Sequence, residues 1–121
     1  MRTNDLRKLV QARLKSICSK VYYKVADEDA VYPHIVFNIK SVNLGDLSRH
    51  DYSIDIDIWE KDDPYNAEEL ADKTEDLFDC ENLPQDTILP TFFLDVRTTV
   101  IDDDKTINHI IIRVIAQNYE R

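Results

Sequence analysis

The stretch Asp51-Tyr52-Ser53-Ile54-Asp55-Ile56-Asp57-Ile58 decides the fold. Tyr52, Ile54, Ile56 and Ile58 alternate with Asp51, Ser53, Asp55 and Asp57, and a period of two residues puts successive side chains on opposite faces of a sheet. A helix would scatter the same four apolar residues around its circumference. The strand therefore separates an apolar face, which must be covered, from an acidic face, which can meet water or a partner.

Downstream, Asp63-Pro64 reads as an N-cap followed by proline at the first helical position, where its missing N–H costs nothing. Ala67, Leu70, Ala71, Thr74, Leu77 and Phe78 then trace one stripe as far as Cys80, with Glu68, Glu69, Asp72, Glu75, Asp76 and Asp79 on the other faces. Asn82-Leu83-Pro84 stops this helix. After Pro90 the spacing predicts a strand over Thr91–Ile101, with Phe92, Leu94, Val96 and Val100 on one face and Phe93, Asp95, Arg97 and Thr99 on the other. Asp102-Asp103-Asp104-Lys105 makes a hairpin turn into a last strand from about Thr106 to Asn118. There Ile110, Ile112, Val114 and Ala116 face one way, and His109, Ile111, Arg113, Ile115 and Gln117 the other.

Upstream, Asn4 is placed to cap a helix from about Asp5 to Lys20 carrying Leu6, Leu9, Val10, Leu14 and Ile17 at helical spacing. Val21 to Val25 is a short strand-like run, Asp27-Glu28-Asp29 breaks it, and Tyr32-Pro33 opens a strand from His34 to Val42. The expected fold class is α+β, a four-stranded, mainly antiparallel sheet with two helices on one face, in the order α-β-β-α-β-β. With 121 residues, no repeat, no linker and a single glycine, Gly45, the chain reads as one domain over residues 1–121.

Charge is unevenly distributed. The first 24 residues hold seven Lys/Arg against one acid, and the other 97 hold eight against twenty-three, within a formal net charge of −9. A basic element on an acidic body suits docking onto further copies, since unlike faces can meet head to tail and repeat around a ring. The candidate ring contact pairs Arg7, Lys8, Arg13 or Lys15 with Glu68, Glu69, Asp72 or Asp76 of a neighbour. Two helices can cover only one face of the sheet, and on the other the alternation places Val36, Trp59, Phe93, Ile111 and Ile115 among Lys40, Asp55, Asp57, Asp95, Arg97 and Arg113. Apolar area of this kind marks an interaction site, unless the Val21 to Ala30 segment folds over it.

Catalytic chemistry has no seat in the sequence. Asp55, Asp57, Glu60, Asp62 and Asp63 lack the glycine and the bidentate glutamate of a calcium loop, and Asp103-Asp104-Lys105 sits on a hairpin tip. His34, His50 and His109 are far apart in sequence, and no serine or cysteine stands in a nucleophile elbow. One glycine cannot build a phosphate-binding loop. Cys18 and Cys80 are lone thiols without metal-ligand spacing. No enzyme activity, metal or cofactor is expected. An acidic chain disfavours nucleic-acid binding, so no specific nucleic-acid site is expected. No apolar run approaches a membrane span, and Met1-Arg2-Thr3-Asn4-Asp5 leads into an amphipathic helix instead of a signal-peptide core, so a cytoplasmic protein without membrane contact is expected.

Several segments carry a family resemblance: the short N-terminal helix, Tyr32-Pro33-His34-Ile35-Val36-Phe37, Arg49-His50-Asp51-Tyr52, Glu68-Glu69-Leu70-Ala71-Asp72 and Asn82-Leu83-Pro84-Gln85-Asp86. Asp104-Lys105-Thr106-Ile107-Asn108-His109 and Gln117-Asn118-Tyr119-Glu120-Arg121 complete it. In this pattern the chain resembles the tail terminator and tail-completion (head-tail joining) proteins of long-tailed bacteriophages and Gram-positive prophages. The resemblance implies a small sheet flanked by helices, and a ring, typically hexameric, that caps the tail tube and joins it to the head. It implies as partners the chain itself, the tail-tube protein and a head-completion protein. It also implies a location in the host cytoplasm during assembly and then at the head-tail junction of the virion. The pronounced basic character of the N-terminal helix departs from that pattern and leaves open whether the helix faces a neighbour, the tube or DNA in the lumen. The alternatives are an acidic decoy that inhibits a host DNA-processing protein, and a head-completion protein of the same virion.

Overall fold

The computed structural model describes residues 2–42, 49–78 and 88–120. Gly45, Asp79, Cys80 and the Asn82 to Pro84 stop lie outside them. Along the chain come α1 (Arg2–Lys15), β1 (Val21–Tyr23), β2 (His34–Val42), β3 (Arg49–Lys61), α2 (Pro64–Phe78), β4 (Ile88–Val100) and β5 (Ile107–Glu120). The strands form one sheet in the spatial order β1-β2-β3-β5-β4. Three pairings are antiparallel, and β1 runs parallel to β2.

The expected four-stranded sheet in the order α-β-β-α-β-β is therefore corrected to a five-stranded mixed sheet. The missing strand is the run at Val21, too short at three residues to show a period of its own. It is held by Val21↔Ile35, Tyr22↔Val36 and Tyr23↔Phe37, partners that only the folded chain supplies. This strand has a topological consequence. Two adjacent parallel strands cannot be joined by a hairpin, so the chain between them must cross a face of the sheet. Residues 24–33 make that crossing, starting from Lys24, whose φ of 71° turns the chain out of β1, and ending at a cis Tyr32-Pro33 bond.

One core lies between the helices and one face of the sheet. Leu6, Leu9, Val10 and Leu14 of α1 and Ala67, Leu70, Ala71 and Phe78 of α2 close over Ile35, Phe37, Ile54, Ile56, Ile58, Phe92, Ile110, Ile112, Val114 and Ala116. Each fully buried isoleucine contributes about 1.5–3 kcal/mol relative to exposure. The alternation of β3 is realised without a break, Tyr52 to Ile58 turning inward. The helix α2 starts as its sequence dictates, with Asp63 Oδ1 accepting the Asn66 N–H at 3.0 Å ahead of Pro64. Its first turn is tied down by buried Glu60, which accepts from the Asn66 side-chain amide and, at 3.0 Å, from the Lys61 N–H.

The first helix is shorter than its apolar spacing suggests, ending at Lys15 instead of Lys20. The N–H groups of Ile17 and Cys18 both reach the Leu14 carbonyl at 3.1 Å, a tightened final turn, and Ser16 Oγ–H takes the Arg13 carbonyl at 2.6 Å. Asn4 lies inside the helix and does not cap it; its Oδ1 accepts from Arg7 Nε and Nη2 at 3.0 and 2.8 Å. Cys18 is buried with a free thiol, and burial pushes its pKa up.

A second correction concerns β4. The register slips between Leu94 and Val96, a β-bulge at Asp95, so that Phe93 faces Ile115, Val96 faces Arg113, and Arg97 faces Ile112. An extra residue reverses the alternation beyond it. Val96, Thr98 and Val100 thus lie on the outer face, and Arg97 and Thr99 on the helix face, the opposite of the regular two-residue pattern.

Candidate functional site: the outer face of the sheet

Cross-strand partners share a face, so the registers assign the outer face directly. His34, Trp59 and His109 form one row across β2, β3 and β5; Val36, Asp57 and Ile111 form the next; and Asp55 and Arg113 lie beyond them. Ile115, Phe93 and Val96 complete the surface towards β4. Of the residues predicted for this face, Val36, Asp55, Asp57, Trp59, Phe93, Ile111, Arg113 and Ile115 lie there together. Arg97 does not.

The structure divides this face into two regions. At the β1–β2 corner the crossing segment 24–33 partly roofs it. The rest is open, with Phe93, Val96 and Arg113 exposed and Ile111 and Ile115 half-buried. Arg113 Nε donates to Asp55 Oδ1 at 2.9 Å, and the Lys40 ammonium stands 3.8 Å from the other oxygen of the same carboxylate. The bond to Asp55 raises the Arg113 pKa. Such exposed pairs fix register and contribute little stability.

Under the roof the side chains are tightly organised. Trp59 stacks on His109 with centroids 3.7 Å apart and planes within 13°. On its other side His34 lies nearly parallel at 6.2 Å, and Tyr32 and Tyr22 pack against His34 at 5.0 and 6.1 Å. The His34 Nδ1–H donates to the Val31 carbonyl at 3.1 Å, and His109 Nε2–H donates to Asp57 Oδ1 at 2.7 Å. Both rings are buried, at 6% and 8% exposure. Desolvation lowers the His34 pKa, against the hydrogen bond to Val31 that raises it. The two histidines look unrelated in sequence, yet the β2–β3–β5 register sets them on either side of the same indole. Beside them, between residues 24–32 and a floor of His34, Val36, Asp57 and Trp59, lies a cavity of about 480 Å³. Among the described residues no three His, Cys, Asp or Glu side chains converge as metal ligands.

The helix side carries the other predicted residues. Arg7 is held within α1 by Asn4 and Gln11 and lies 5.9 Å from the Tyr23 ring. Arg13 is half-buried, and its Nε meets no acceptor among the described residues. Lys8 and Lys15 are exposed, with only exposed Ala12 and half-buried Gln11 between them on that flank. On α2, Glu68 and Asp72 are exposed but occupied, because Arg97 reaches from β4 to Glu68, to Asp72 at 2.7 Å and to Glu75 at 3.2 Å. The Arg97 pKa is raised by these carboxylates against the opposing effect of burial. Glu69 pairs with Lys73 at 3.4 Å, and Asp76 is exposed.

No protein-family model matches the sequence, and no curated protein does. Among solved structures the fold is similar to a chain of the "Virion of native gene transfer agent (GTA) particle", with a TM-score of 0.74 at 10% identity, covering 96% of this chain and 95% of that one. At this identity the likeness establishes a common fold across nearly the whole of both chains.

Proposed function

We propose that the chain is a structural virion protein that caps the tail tube and joins it to the head, assembling as a ring. One observation carries the reading: the fold is shared, nearly end to end, with a chain of a gene transfer agent virion. The surface supports it. Lys8 and Lys15 are seven residues apart, about 10.5 Å along one flank of α1. Glu69 and Asp76 repeat that spacing on α2 outside the Arg97 network, Glu69 holding only an exposed pair with Lys73 of its own helix. Helix flanks that match in spacing and oppose in charge suit a heterologous contact, the kind that closes a ring. The open outer face, with Phe93, Val96, Ile111 and Ile115, then supplies apolar area towards the tube. No step in this reading is catalytic, and the protein acts by surface complementarity.

Sedimentation at low and high salt, alone and with purified tail tubes of the same virion, tests it. Rings in solution, or rings formed only at tube ends and seen by electron microscopy, support the proposal. A chain that stays monomeric at every ionic strength and leaves tube ends bare overturns it. Rescue of headless tails or of tailless heads in a deletion lysate separates the tail-terminator role from head completion.

A further inference from the structure

We propose that the roofed cavity at the β1–β2 corner binds one cationic side chain, arginine or lysine, presented by an extended segment of a partner protein. It is an open cleft whose volume of about 480 Å³ falls within the range of ligand-binding clefts. Three carboxylates border it: Asp27 and Glu28 on the crossing segment, both exposed, and Asp57 on the floor. The cation on its wall, Lys24, is drawn aside, with its ammonium 5.5 Å from the Tyr23 ring. The cavity is thus left with an excess of negative charge beside the Tyr32 ring, whose face attracts cations, while Trp59, its faces taken up by His109 and His34, forms a rigid wall. Val36 and Ala30 give the alkyl stem of a long basic side chain an apolar surface, the arrangement that lets such residues bury their methylenes and keep the charge among polar groups.

The floor is preorganised. Trp59 is fixed by His109 and Asp57 by the same imidazole, so neither side chain must be ordered when a ligand arrives. The occupant is a protein segment because exposed Val25 and Tyr32 line the cavity at one end of the outer face, whose remainder is open at Phe93 and Val96.

The single tryptophan of the chain is part of the site and reports on it. Four peptides, acetyl-Ala-X-Ala-amide with X as arginine, lysine, citrulline or norleucine, are titrated into the full-length protein while Trp59 emission is followed. The arginine and lysine peptides are expected to change the emission saturably, and the neutral isostere citrulline and the apolar norleucine to bind at least about ten-fold more weakly, equivalent to about 1.4 kcal/mol. The double variant Asp27→Asn, Glu28→Gln, on an exposed segment, is expected to lose a similar factor for arginine with its urea midpoint unchanged. No saturable response to arginine, equal binding of citrulline, or indifference to the double variant overturns the proposal. Each reading is made on single chains, so it stands or falls whether or not rings form.

Discussion

At the scale of the residue, His34 is one group through which acid acts on this fold. Its ring is buried, stacked near Trp59 and hydrogen-bonded to Val31, and burial holds its pKa below the ordinary histidine value. The unfolded chain therefore takes up this proton first as pH falls. Stability from His34 is complete above the unfolded value of about 6.5 and is lost as pH drops through the lower folded value. Urea midpoints measured from pH 7.5 downward are expected to decline across that window, and His34→Gln, which cannot titrate, to flatten the decline while lowering the midpoint at pH 7.5. An unchanged slope in the variant would assign the acid sensitivity elsewhere. The histidines were not legible as a cluster, because 25 residues separate His34 from Trp59 and 50 separate Trp59 from His109. Only register joins them, and register is fixed by strands whose pairing the sequence does not spell out.

At the scale of the element, legibility followed length and regularity. The β3 alternation and the capped α2 were readable because each repeats its signal several times. The three-residue β1 was readable as a strand-like run at Val21 to Val25 but not as a fifth strand of the sheet, since its place comes from parallel partners on β2. The bulge at Asp95 was equally silent, yet it decides what Arg97 does. With regular alternation Arg97 would stand on the outer face; after one extra residue it meets Glu68, Asp72 and Glu75 on α2 and ties the edge strand to the helix. Three carboxylates on one guanidinium form a network, but Glu68 and Asp72 are largely exposed, so solvent screening keeps the gain modest. Arg97→Met is expected to lower stability by about 1 kcal/mol, with a loss that shrinks in high salt as the freed acids are screened. Denaturant titration at two salt concentrations measures both. A loss independent of salt would mean that Arg97 acts through packing of its alkyl stem.

At the scale of the whole molecule, the charge asymmetry visible in the sequence survives folding, but its two poles are narrower than composition implies. Arg7 is engaged within its own helix and Arg13 is half-buried, which leaves Lys8 and Lys15; Arg97 takes two of the predicted acceptors, which leaves Asp76 and Glu69, the latter in an exposed pair with Lys73 that a partner's lysine must displace. The ring contact proposed above therefore rests on two pairs of equal spacing, and this makes it testable by exchange of sign. Exposed pairs contribute up to about 1 kcal/mol each, so reversing both lysines, Lys8→Glu with Lys15→Glu, is expected to weaken association by about ten- to a hundred-fold. Glu69→Lys with Asp76→Lys should do the same. Combining all four changes restores opposite charges at every interface of a head-to-tail ring, and sedimentation should then return towards that of the native chain. Mixing the two double variants gives a sharper expectation: in an alternating ring one interface is native and the next pairs the introduced glutamates with the introduced lysines, so every contact is attractive and mixtures should form even-numbered rings that neither variant forms alone. Mixtures that associate no better than either variant alone would place the contact on other surfaces, with the outer sheet face as the next to test.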